Sequence, residues 1–274
     1  MKHRTNTFIA ALAAVVIAGV MPASAQAQED DQAAMKSDKT GTNPVNFSLD
    51  TRLYNEFQWL NTAGDGTQNI TTFEFRTPFA DGKWQFRTRL RAASFEADFD
   101  DDGNDDADES GFGDLDFRFL TVPVLDMAHK QAFAVGFEVF LDTASEDVLG
   151  SGATSLGPQL FYVKFLPHGL FAPGIQYKFS VDEDDGRADT DQVLIDLNLL
   201  IMAKDKQSWF FTDPQIVIDN ENDIEFAIVD LEFGAMMSKW TDLKGHSAYI
   251  RPSFAVGTDR PVDGSVEVGY KIVM

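Results

Sequence analysis

Residues 98 to 109 read DFDDDGNDDADE and match the spacing of a calcium-binding loop, D-x-[DN]-x-[DN]-G-x5-E. Asp98, Asp100 and Asp102 fall on the alternating ligand positions. Gly103 stands at the turn, Asn104 and Asp106 take the next two positions, and Glu109 closes the loop. Carboxylates at this spacing are hard oxygen donors for Ca2+, yet a working loop of this kind hangs between two helices that orient its ligands. Here KWQFRTRLRAASFEA precedes it and GFGDLDFRFL follows it, and neither has helical periodicity. The tract therefore reads as a solvated acidic surface loop, with weak calcium binding as the competing reading, the ion bridging to lipopolysaccharide phosphates. DEDDGRADTD at 182 to 191 reads the same way, and no other cofactor is expected.

A second chemical feature is the ladder Arg87, Arg89 and Arg91. At period two on a strand, three guanidiniums project from one face about 6.5 to 7 Å apart. Lining a channel, they would form a positive stripe that selects anions. Paired with Glu74, Asp114, Asp116 or Glu138 on neighbouring strands, they would instead brace the structure and fill it. Both readings stand. Enzymatic chemistry has less to work with. Beyond the first residues only His129, His168 and His246 remain, each in or beside a short link between alternating stretches, and no carboxylate pair has a spacing that singles it out as catalytic.

The elements that must carry these residues follow from composition and period. MKHR, then FIAALAAVVIAGV, then ASA at 23 to 25 is the layout of a secretory signal peptide spanning 1–25. Its apolar core is short of the roughly 20 residues that cross a bilayer. Without Lys2 and Arg4 the exported chain carries a net charge of about −24, which argues against nucleic acid as a partner. The absence of cysteine from an exported chain excludes a disulfide scaffold. Residues 26–45, rich in Asp, Lys, Gln and Thr, read as a disordered tail.

From 46 to 274 the pattern alternates with period two. Trp84, Phe86, Thr88 and Leu90 share one face of a strand and Gln85, Arg87, Arg89 and Arg91 the other; Val266, Val268, Tyr270 and Ile272 oppose Glu267, Gly269 and Lys271. Such stretches predict about twelve strands, with ten or fourteen as alternatives, near 47–60, 70–80, 83–97, 113–122, 132–143, 155–166, 169–181, 192–203, 208–219, 224–238, 247–258 and 265–274. Most exceed the usual length of soluble strands and suit a tilted bilayer span. The links then sort by parity, the acid-rich ones outward and the short ones, with the histidines, toward the periplasm.

A soluble barrel also alternates, but with its apolar face inside. Too many ionisable residues share the polar face for a dry core: Arg52, Glu56, Glu74, Arg76, Arg87, Arg89, Arg91, Asp114, Asp116, Arg118, Glu138, Lys178, Asp196, Glu232, Arg251 and Lys271. They predict the lining of a wet lumen, with Trp59, Phe79, Trp84, Trp209 and Trp240 as interfacial girdles. The last strand resembles the signal read by the outer-membrane assembly machinery, with Met274 where an aromatic residue is usual.

From residue 111 onward the chain resembles the outer-membrane transporter family named for the phenol-degradation meta-pathway. Gly111, Gly113 and Asp114 in GFGDLDFRF, FLDT at 140 to 143, LGSGATS, LGPQLFYV and GIQYKF carry the resemblance, and Leu141, Asp142 and Thr143 replace the family's Pro-Thr-Gly. It implies a pore for small, often hydrophobic compounds.

The expectation is an all-β, antiparallel transmembrane barrel in the outer membrane of a Gram-negative bacterium. It would pass small solutes through a narrow charged lumen, among outer-membrane lipid and lipopolysaccharide. The competing expectation is a non-conducting structural or adhesive barrel with cation-binding acidic loops.

Overall fold

A computed structural model describes residues 40–61, 65–98, 106–183 and 189–274. The strands are β1 (Asp50–Asn61), β2 (Asp65–Phe79), β3 (Trp84–Asp98), β4 (Asp106–Phe112), β5 (Leu115–Asp126), β6 (Gln131–Leu141), β7 (Ala153–Leu166), β8 (Gly169–Glu183), β9 (Asp191–Met202), β10 (Ser208–Asp219), β11 (Ile224–Met236), β12 (His246–Val256) and β13 (Val262–Val273). All but β4 form a closed antiparallel barrel of twelve staves, each bonded to its neighbour in the chain, and β13 closes on β1 from Asp50↔Val273 to Leu60↔Val262. Closure gives each of the twelve staves a bonded neighbour on both sides, while β4 pairs with β3 alone.

The period-two pattern places apolar side chains on the outer wall. Leu53, Leu90, Phe233, Ile250, Phe254 and Val268 are exposed there, whereas Arg87, Glu232, Glu267 and Lys271 on the opposite face are buried. Phenylalanines pack across neighbouring staves on the outside: Phe119 stacks with Phe137 at 5.1 Å, and Phe210 lies tilted against Phe233 at 5.2 Å. An even number of staves brings the start of β1 and the end of β13 to one rim, where the Met274 backbone N–H bonds the Leu49 carbonyl at 2.9 Å.

Three expectations are corrected. Residues 106–110, read as part of the acidic loop, belong with Gly111 and Phe112 to the strand β4. It pairs with the upper half of β3 from Asp98↔Asp106 to Ala92↔Phe112, before β5 resumes the stave at Arg89↔Asp116. Backbone pairing with an already extended β3 overrides the poor strand propensity of aspartate, and Asp108 and Glu109 remain exposed.

Residues 40–45, read as the end of a disordered tail, are seated inside the barrel. Thr40, Asn43 and Val45 are buried. Their carbonyls meet inward-facing cations, and Val45 joins an apolar cluster. Residues 1–39, which hold the expected signal peptide, lie outside the described residues.

The third correction concerns the inner wall near the terminal rim, which is apolar. Leu120, Ala134, Val163, Leu200, Phe211 and Met236 pack around Val45. Trp209, expected in an interfacial girdle, belongs to this cluster and is 4% exposed. Its ring fits against Gly234, where a Cβ would fall 2.0 Å from it. The other expected girdle residues, Trp59, Phe79 and Trp240, are exposed on the outside, and Trp84 is half-buried beside Phe79.

Candidate functional site: a charged cavity inside the barrel

Above the apolar cluster lies a cavity of roughly 380 Å3. Its lining comes from inward positions of most staves and from Gly41, Thr42 and Pro44 of the N-terminal segment. Three ion-pair networks organise it.

The first joins β1, β2 and the N-terminal segment. Arg52 lies 3.2 Å from both Asp50 and Glu74, and Arg76 is 2.6 Å from Glu74. Both guanidiniums also donate to the Gly41 carbonyl, Arg76 at 3.1 Å. Two strand arginines thereby hold the incoming segment by its backbone.

The second contains the arginine ladder. Arg87 pairs with Glu138 and lies 3.5 Å from Asp116. Arg89 reaches Asp116 at 2.9 Å and Glu138 at 2.8 Å, and Arg91 reaches Asp116 at 2.6 Å. Three cations converge on two carboxylates from β5 and β6, so most of their charge is neutralised locally. Of the two sequence-based readings of the ladder, this geometry is that of the bracing one.

The third lies across β10 to β13. Glu232 accepts from Lys271 at 2.9 Å and from the Trp209 indole N–H at 2.7 Å, and it pairs with Arg251 at 2.5 Å. Arg251 also reaches Glu267 at 3.3 Å, and the Tyr249 hydroxyl donates to Glu267. Lys271 sits 4.2 Å from the centre of the Tyr249 ring and donates to the Thr40 carbonyl at 3.4 Å.

The structure therefore gathers Arg52, Glu74, Arg76, Arg87, Arg89, Arg91, Asp116, Glu138, Glu232 and Arg251. Arg118 also faces the cavity, and Lys178 sits over the Phe140 ring at 4.4 Å. Asp114 does something else. Its carboxylate accepts the backbone N–H groups of Thr143, Ala144 and Ser151 and the Ser151 hydroxyl, tying the 142–152 loop to the start of β5. Sequence reasoning missed Tyr54, Asp213, Asp230 and Tyr249 on the cavity wall, and Glu267, placed on the polar face of the last strand, joins them there. Parity within β11 and β12 could have found Asp230 and Tyr249. On β10 the inward Trp209 and Phe211 masked the face that Asp213 shares.

Of the calcium-pattern residues, Asp98 and Asp106 are register partners on β3 and β4, and Glu109 stands opposite Phe95. Asp100, Asp102 and Asn104 lie outside the described residues. Among the described residues no group of three or more metal-type side chains converges. His129 is bonded to Asp126 at 2.6 Å and His246 to the Tyr270 hydroxyl.

Solved structures give the arrangement a context. An outer membrane channel from Pseudomonas putida F1 superposes with a TM-score of 0.63 at 13% identity, covering 85% of this chain and 97% of that one. The fold is a porin-type barrel. The NanC porin matches it with a TM-score of 0.55 at 11% identity over 83% of this chain and all of its own. The transport unit of the autotransporter AIDA-I from Escherichia coli matches the same porin-type barrel with a TM-score of 0.52 at 8% identity, over 88% of this chain and 96% of that one. No family model and no curated protein matches the sequence.

Proposed function

We propose that the chain is an outer-membrane channel for small solutes, exported by its N-terminal signal segment and inserted by the barrel-assembly machinery among phospholipid and lipopolysaccharide. The observation that carries this reading is the polar cavity enclosed by an apolar outer wall. An inverted barrel of this kind suits lipid outside and water inside. The porin-type fold supports it, and membership of the phenol-degradation meta-pathway family, suggested by Gly111, Gly113 and Asp114, is part of the same proposal.

In this reading the paired arginines set a narrow, nearly neutral passage, and the segment 40–45 sits in its periplasmic mouth. Passage is passive, with the side chains acting through charge and size alone. Conduction then requires that segment to shift from its bonds to Arg52, Arg76 and Lys271.

A second reading, a non-conducting surface barrel, draws on the apolar packing around Val45. Single-channel recording of the folded mature chain in a planar bilayer separates the two. Discrete conductance steps support the channel, and silence from demonstrably inserted protein overturns it.

A further inference from the structure

Most cavity charges are satisfied within the three networks, but two places are not. On β5, Arg118 faces the cavity, its Nε is buried without a hydrogen-bond partner, and among the described residues it has no ion pair. On the far side of the barrel, β9, β10 and β11 present Asp196, Asp213 and Asp230 to the same cavity. Asp213 and Asp230 are register partners, and Asp196 stands opposite Gln215, two residues along β10 from Asp213.

Asp213 is 9% exposed. One of its oxygens, Oδ2, accepts from Gln215 at 3.0 Å, while Oδ1 is buried with no partner. Asp196 is also buried and has no ion pair among the described residues. Like charges placed opposite each other on neighbouring strands are mutually unfavourable, and a buried carboxylate oxygen without a donor loses its hydration uncompensated. The cavity thus presents an unpaired cation on one wall and unpaired carboxylates on the other.

A simple anion would satisfy Arg118 and be repelled by the aspartates, and a simple cation would meet the reverse. A molecule with both charges satisfies both walls. We propose that the cavity binds a small zwitterionic solute of the amino-acid type, its carboxylate against Arg118 and its ammonium between Asp196 and Asp213. The volume of roughly 380 Å3 lies near the lower end of ligand pockets, about 300–1,000 Å3, which fits a compact solute. The assignment names the solute class for the channel proposed above and rests on that reading.

Binding is measured apart from passage, by equilibrium dialysis of the folded, detergent-solubilised mature chain against radiolabelled L-alanine. L-lactate, which has only the carboxylate, ethylamine, which has only the ammonium, and lactamide, which has neither, serve as unlabelled competitors. L-alanine is expected to compete at least about tenfold better than each of them, since each lacks a charged contact that the zwitterion makes. Asp213→Asn and Arg118→Gln should each weaken retention about tenfold, and Asp263→Asn on the exposed rim should leave it unchanged. Should Asp213→Asn fail to fold, Arg118→Gln and the competitor series still decide the matter. No retention of L-alanine, or variants that bind like the parent, overturns the inference. Binding by an electrically silent barrel would sustain the site and remove the channel, and conductance without binding would do the opposite.

Discussion

Lys271 Nζ lies 2.9 Å from Glu232 Oε1, and neither side chain has measurable exposure to solvent. The pair joins β13 to β11 across β12, and the same carboxylate takes a hydrogen bond from Trp209. Removing Glu232 leaves the buried Lys271 without a carboxylate, whereas Glu232 without Lys271 keeps Arg251 and the Trp209 indole. Glu232→Leu is expected to cost about 3–5 kcal/mol, measured as a lower thermal transition of the folded barrel, with Glu232→Leu plus Lys271→Met recovering part of the loss. A single variant as stable as the parent would mean the pair contributes nothing.

Asp116 is shared by Arg87, Arg89 and Arg91 at 3.5, 2.9 and 2.6 Å. Asp116→Asn removes a charge while leaving three guanidiniums in place. In a conducting barrel, the reversal potential under a potassium chloride gradient should move toward that of chloride. An unchanged reversal potential would mean that the ladder stands away from the ion path.

The segment 40–45 is held by Arg52, Arg76 and Lys271 through the carbonyls of Gly41 and Thr40. Deleting the mature chain up to residue 46 should raise conductance severalfold, because the mouth loses its occupant. It should also lower thermal stability, because Val45 leaves the apolar cluster and the three cations lose acceptors. Equal conductance with and without the segment would refute its role as an obstruction.

Asp114 gathers three backbone N–H groups and a hydroxyl from the 142–152 loop. Asp114→Ala should free that loop, lowering its local opening free energy by at least about 1.5–3 kcal/mol. Limited proteolysis would report this as faster cleavage between 143 and 151, with the barrel itself resistant. Cleavage no faster than in the parent would show that the loop is held by other contacts.

Much of the architecture was legible because a barrel stave is a local pattern. Alternation alone placed Arg87, Arg89 and Arg91 opposite Leu90, and eleven further stretches behaved similarly, so strand positions and facing followed from period two. The break in the fourth stave was not legible. Asp106 to Phe112 carries the composition of a loop, and only the length of its partner β3 makes it a strand. Trp209 misled for a related reason: an aromatic near a strand end fits a girdle equally well by type, and the depth of its face depends on Gly234 across the strand pair.

By itself, then, the sequence determined the class of fold, the facing of most staves and most of the charges that turn inward, since each follows from the order of residues along one strand. The tertiary structure decided which charge meets which. Ion pairing depends on register between staves far apart in the chain and on where an N-terminal segment comes to rest. That is why the arginine ladder is braced by Asp116 and Glu138, why Asp114 holds a loop, and why Arg118 and Asp213 are left facing a cavity with groups unpaired.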